Sequence, residues 1–290
     1  MSLELQILLP AFLACLVLTA FLAYLGLHVL AREVIFVDIA LAQIAALGTA
    51  VASLRGVEPH TTESYVWSLL FTFAGAALFA LTRGLRKRVP QEAFIGITYA
   101  VAAATSILVA NFLSHGDEEI KEILVGSLLT VSLKDVGVTA LIFAALGAFH
   151  FAMRHRFIAL SFDHDSPEHD TWKGILWDLA FYLTFGVVIA SSVQMAGVLL
   201  VFSFLIVPAV FSALFSRRLG VRLALAWALG AVVSAGGLWS SFKFDLPTGA
   251  TVVVTFGVAL LLGVLAAVMM ARKGKAAEAA VSGSPPAPGS

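Results

Sequence analysis

Charge is scarce in this chain. Asp, Glu, Lys and Arg make up 12% of its 290 residues, where a soluble domain carries about a quarter. So few charged groups cannot cover a surface that faces water, which excludes an ordinary soluble domain. The 18 basic and 18 acidic residues leave a formal charge of +0. There is no basic excess for a phosphate backbone, so nucleic acid is excluded as the main partner. The single cysteine, Cys15, rules out an internal disulfide and reads as a small residue facing lipid or protein. Three catalytic or nucleotide motifs are missing as well: a Walker-type Gly-rich loop, a Gly-x-Ser-x-Gly elbow and a His-Glu-x-x-His pair. Neither ATP binding through such a loop nor intramembrane hydrolysis has a motif to rest on, and the chain reads as no enzyme, with no bound cofactor.

What is present is apolar. Hydrophobic residues make up 60% of the chain and mean hydropathy is +0.97. They fall into runs near the roughly 20 residues that a helix needs to cross hydrocarbon. Spans are expected at 6–30, 34–54, 65–82, 91–113, 136–153, 174–193, 195–215, 221–241 and 248–270. Barrel strands alternate over about 10 residues; these runs are longer and uniformly apolar, so the fold class is an all-α polytopic integral membrane protein. An eight-span variant with one re-entrant run is the alternative. The opening run lacks a basic n-region and exceeds the roughly 7–15 apolar residues of a signal peptide, so it is expected as a retained span. Residues 1–273 then form one transmembrane domain. Residues 274–290, rich in Ala, Gly, Ser and Pro, are expected to be a disordered cytoplasmic tail.

Lys and Arg set the orientation. With nine spans and the N-terminus out, the inner segments hold Arg32; Arg83, Arg86, Lys87 and Arg88; Arg154, Arg156 and Lys173; Arg217, Arg218 and Arg222; and Arg272, Lys273 and Lys275. The outer segments hold only Arg55, Lys121, Lys134 and Lys243. An N-out, C-in arrangement in a cell inner (plasma) membrane is therefore expected. Tyr65, Trp67, Trp172, Trp177 and Trp239 fall where interfacial aromatics belong.

A charge inside a span is a functional candidate by default, because hydrocarbon penalises it. Asp38 lies early in span two and Gln43 follows, among Ala40, Ala42, Ala45, Ala46 and Gly48, whose small side chains allow close approach. Glu92 opens span four just after Pro90. As acids in first turns, Asp38 and Glu92 also suit helix N-termini, and Gln43 also suits an interhelical hydrogen bond. Five residues separate Asp38 from Gln43, about 140° around a regular helix. Either the helix is distorted or one of the two lines a path. His28 and His150 read as satisfied structural histidines. Two polar stretches, His115 to Glu119 and Asp163 to Asp170, lack metal-ligand spacing and read as solvated loops.

Several motifs then stand in order: Asp38 to Gly48; Gln91-Glu92-Ala93-Phe94-Ile95-Gly96-Ile97; Leu124 to Ser132; Ala196-Gly197-Val198-Leu199-Leu200-Val201 running on to Leu205-Ile206-Val207-Pro208-Ala209; and Asp245-Leu246-Pro247-Thr248-Gly249-Ala250. With these the chain resembles the permease family of ABC importers for zinc, manganese and iron, across about residues 5–270. The resemblance implies a divalent metal ion as cargo, with Asp38, Gln43 and Glu92 as its candidate ligands. It implies a homodimer, a cytosolic ABC ATPase pair and an extracytoplasmic metal-binding protein. It also implies that the inner loop at about 157–173 is the ATPase coupling segment. Two departures stand out. Where the family often has His four residues after the span-two acid, this chain has Ala42, with Gln43 next. The loop begins like the family at Ala159-Leu160-Ser161-Phe162-Asp163 and then diverges as His164-Asp165-Ser166-Pro167. The alternative class, an ion-coupled secondary transporter, needs several deep acids or broken midplane helices, and few deep acids are present.

The orientation is testable directly. A reporter fused after Ser290 is expected to be active only on the cytoplasmic side; activity on the outer side would reverse the topology.

Overall fold

The computed structural model describes residues 3–58, 61–85, 88–113, 128–163 and 171–282. Among the described residues there is no strand. The helices are α1 Leu3–Ala31, α2 Val37–Leu54, α3 Thr62–Thr82, α4 Gln91–Ala110, α5 Leu133–Ala152, α6 Arg154–Phe162, α7 Trp172–Ala196, α8 Val198–Phe215, α9 Leu219–Phe244 and α10 Thr248–Ser282. Short 3-10 turns occupy Arg83–Leu85 and Leu128–Thr130. All but the nine-residue α6 are long and apolar enough to cross a bilayer. This is the nine-span reading, with each span ending within three residues of its expected position. The apolar part of α10 closes at Lys273 and its backbone stays helical to Ser282. The loops His115 to Glu119 and His164 to Asp170, and the last eight residues, lie outside the described residues.

Two groups of helices make the bundle. In one, α2 packs on α3 and α4, and α3 packs on α7. In the other, α1 packs on α8 and α9, and α10 closes against both α8 and α9. Contacts of α7 with α1, α2 and α8 join the groups, and α5 leans on α1 and α7. The innermost helices are α7, α2 and α8; α4, α5, α9 and α10 turn most of their surface outward. Their outward residues are large and apolar, such as Ile97, Val101 and Leu108 on α4 and Leu261, Leu262 and Leu265 on α10. Lipid is the solvent that accepts such a surface. Trp172 and Trp239 are exposed near helix ends, as interfacial aromatics should be. Tyr65 differs: its hydroxyl is tied to Ser191 Oγ at 2.7 Å, a bond between α3 and α7.

Close approach depends on missing side chains. A Cβ added at Gly26 of α1 would collide with the backbone carbonyl of Leu205 on α8. In hydrocarbon, helices gain little from apolar burial and more from such tight packing. The connections are short. α7 and α8 are joined by Gly197 alone, with φ 77° and ψ 162°, a backbone region that only glycine occupies comfortably. At the other end of these helices' neighbourhood, Thr171 caps α7 by accepting from the Gly174 N–H at 3.1 Å, and Ser132 with Asp135 forms a capping box on α5.

Gly197→Ala is therefore expected to strain the α7–α8 joint by about 1–3 kcal/mol and to lower the thermal unfolding midpoint in detergent. Gly236→Ala, whose new Cβ meets nothing within 4 Å, is the control and should leave the midpoint in place. Equal midpoints for the two would show that the joint relaxes freely.

Candidate functional site

The three candidate residues lie on α2 and α4, which pack side by side. Asp38 sits in the first turn of α2, 2% exposed, and its Oδ1 has no hydrogen-bond partner. Glu92 sits in the first turn of α4. Its Oε1 accepts the Phe36 N–H at 3.2 Å, which brings the start of α4 against the start of α2. Its Oε2 is also buried without a hydrogen-bond partner. Asp38 lies two residues beyond Phe36, so the bond from Phe36 to Glu92 sets the first turns of α2 and α4 beside each other. Two acids thus share one end of the bundle, each with an oxygen to spare. That is the arrangement a cation completes, since it supplies the missing partner and removes the charge repulsion.

Gln43 is placed differently. α2 is one continuous helix from Val37 to Leu54, so no distortion turns Gln43 toward Asp38. Its Nε2 donates to Ser106 Oγ of α4 at 3.1 Å, and Ser106 donates in turn to the Ala102 carbonyl at 2.9 Å. Gln43 thus makes the interhelical hydrogen bond that its position suited. Among the described residues no three of His, Cys, Asp and Glu gather into a metal-binding group.

A second charged cluster was not legible in the chain order. Arg32, just past α1, pairs through NH1 with Asp178 Oδ1 of α7 at 2.8 Å, with side chains only 5% and 0% exposed. The guanidinium also lies 3.9 Å above the Phe181 ring. Its Nε donates to Ser161 Oγ of α6 at 2.8 Å, and the same hydroxyl meets His28 Nδ1 at 2.8 Å. His150 Nε2 meets Thr184 Oγ1 at 2.9 Å, and its Nδ1 meets the Tyr24 hydroxyl at 3.4 Å. The two histidines thus sit in separate hydrogen-bonded groups that touch through the Tyr24 ring, 4.7 Å from the His28 ring. The signal available in the sequence was Asp178, an acid within span six at a depth close to that of Arg32.

At the opposite end of the bundle a cavity of about 520 Å³ opens between α3, α5 and α7. Its wall combines the polar side chains of Thr61, Thr62, Tyr65, Thr130, Asp135, Thr139, Ser191 and Gln194 with apolar ones such as Val131, Val138, Ile142 and Met195. Asp135 is already engaged there, its Oδ2 accepting from Ser132 Oγ at 2.6 Å and from the Ser132 N–H at 3.2 Å.

Among the described residues, nine helices long and apolar enough to cross a bilayer, with charges gathered between them, define a multi-pass integral membrane protein. Residues 4–267 match the ABC 3 transport family, and the chain belongs to it. It is 28% identical over 207 residues to the manganese transport system membrane protein MntC of Listeria monocytogenes, covering 69% of this chain and 73% of that one. It is 24% identical over 265 residues to an uncharacterized membrane protein of Synechocystis, covering 90% and 91%. In three dimensions it is similar to a chain of PsaBC from Streptococcus pneumoniae in complex with Fab, with a TM-score of 0.72 at 20% identity, covering 88% of this chain and 90% of that one. That likeness shows a shared fold.

The Gln43–Ser106 bond carries its own prediction. A double-mutant cycle with Gln43→Ala and Ser106→Ala is expected to give a coupling energy of about 0.6 kcal/mol, the usual size inside a membrane. Strict additivity would mean the two side chains do not meet.

Proposed function

We propose that this chain is the membrane permease of an ABC importer for divalent metal ions, working in the inner membrane as a homodimer. A cytosolic ABC ATPase pair drives it, and an extracytoplasmic metal-binding protein delivers the cargo. The observation that carries this reading is the carboxylate pair Asp38 and Glu92, buried where α2 meets α4, each with an oxygen lacking a partner. Membership of the ABC 3 transport family supplies the transport class. The name of the Listeria relative brings manganese to this chain as the first cargo to test, with zinc and iron beside it.

The basic residues support an N-out, C-in orientation. The cavity then opens to the outside, and the Asp38–Glu92 end faces the cytosol. The ion enters among hydroxyl and amide oxygens that hold it loosely. It passes Gln43 and Ser106 as polar steps and meets formal negative charge at Asp38 and Glu92. Two carboxylates neutralise a divalent cation while leaving room for exchangeable oxygens, which suits passage over retention. Loss of one carboxylate leaves the cation half neutralised in a poor solvent for charge.

Asp38→Asn is expected to abolish uptake of radiolabelled manganese and zinc at unchanged membrane abundance, in cells lacking other importers. Gln43→Ala should reduce uptake only in part. Full uptake by Asp38→Asn would leave Asp38 as a first-turn acid on the α2 dipole and remove the main support for this path.

A further inference from the structure

Three elements meet at Arg32. Its Nε holds Ser161 of α6 and its NH1 holds Asp178 of α7, each at 2.8 Å. Its backbone opens the corner that turns α1 into α2. This corner is short and internally bonded: Arg32 N donates to His28 O at 3.0 Å, Val34 N to Val29 O at 3.3 Å, and Val37 N to Val34 O at 3.2 Å. Glu33 takes the left-handed conformation with φ 58° to close it. On the far side of the corner, the Phe36 N–H holds Glu92, and Asp38 follows two residues later. An unbroken series of short contacts therefore runs from α6 to both carboxylates.

The other faces of α6 fit that series. Phe157 stacks on His150 of α5, with centroids 4.3 Å apart and planes 14° from parallel, and its ring meets the edge of Trp177 on α7 at 5.8 Å. Phe157, Leu160 and Ser161 are buried, while Arg154, His155 and Arg156 are exposed at the end of the bundle. The first turn of α6 is thus exposed, and the rest of the helix is keyed into α1, α5 and α7.

We propose that Arg32 is a positioning residue for transport: through Ser161 it ties the α1–α2 corner to α6, and through Asp178 to α7, so that a displacement of α6 shifts Asp38 and Glu92. The proposal rests on the permease reading, in which the ATPase acts at the 157–173 segment. A desolvated ion pair resists being pulled apart, because separation leaves two buried charges unpaired. The corner therefore follows α6 and α7 as they move, and the carboxylates change their access without a ligand of their own touching the ATPase.

The test uses the full transporter, assembled with its ATPase in lipid nanodiscs. Nitroxide labels are placed at the exposed positions 36 and 155 by Phe36→Cys and His155→Cys, each in its own sample. In otherwise wild-type protein, ATP is expected to change the spectra of both labels. Ser161→Ala, which removes one hydroxyl and little volume, should keep the change at position 155 and lose it at position 36. Manganese moved per ATP hydrolysed should fall about tenfold while hydrolysis continues. Arg32→Lys keeps the charge but not the two-pronged geometry, and should show the same pattern more weakly. If both labels still respond in Ser161→Ala and manganese per ATP is unchanged, the coupling role is overturned and the permease reading stands. If both labels fall silent together with membrane abundance, the network is a fold staple and the coupling role is again overturned. If the otherwise wild-type transporter moves none of manganese, zinc and iron with ATP, the permease reading fails and takes this proposal with it.

Discussion

Hydrocarbon offers no water to complete a hydrogen bond, so each spanning segment has to satisfy its own backbone. That constraint accounts for the helices, and it also accounts for the hydroxyls. Thr19 donates to the Cys15 carbonyl, Thr72 to Ser68, Ser192 to Val188 and Ser234 to Gly230, each one turn back on its own helix at 2.6–2.7 Å. A serine or threonine so engaged carries no unmet polarity into lipid or into a neighbouring helix. The spans can then pack on surfaces made of methyl groups and bare backbone, as Gly26 does against Leu205.

Charged groups cannot solve the problem locally, and the two charged clusters solve it in opposite ways. Arg32 and Asp178 meet at 2.8 Å with a hydroxyl and an aromatic face beside the guanidinium. Such a pair is fixed even though Arg32 NH2 finds no hydrogen-bond partner, because separating it would leave two buried charges unpaired. Asp38 and Glu92 are held by backbone and by each other's neighbourhood, yet each keeps an unbonded oxygen. Such a pair is receptive to a cation. A permeation path needs receptive groups, and a moving framework needs fixed ones. The tight corner between α1 and α2 places one of each within six residues.

The molecule is also polarised from end to end. The carboxylates lie at one end, and the cavity lies at the other, between α3, α5 and α7. Between them the inner helices α2, α7 and α8 are lined by small and apolar residues such as Ala40, Ala42, Ile189 and Val201. On the path proposed above, a charged solute would meet polar oxygens first, then the Gln43–Ser106 pair, then formal charge.

Much of this was written in the chain order. Span number and span length follow from hydropathy alone, because bilayer thickness sets how many apolar residues a helix needs. The motifs from Asp38 to Ala250 carried the family resemblance for the same reason: they are local. Asp38 and Glu92 could be singled out because an acid in an apolar run is conspicuous by itself. Their meeting could not, since it depends on how α2 and α4 pack and on the Phe36 N–H that joins them. Gln43 suited both a path and an interhelical hydrogen bond, and only the position of Ser106, 63 residues away, supplied the partner for the bond. Arg32 was read as one more basic residue flanking a span. Its carboxylate lies 146 residues further on, and pairing at that separation is decided by tertiary packing: burial forces a charge to find its opposite, but periodicity and composition say nothing of which one it finds.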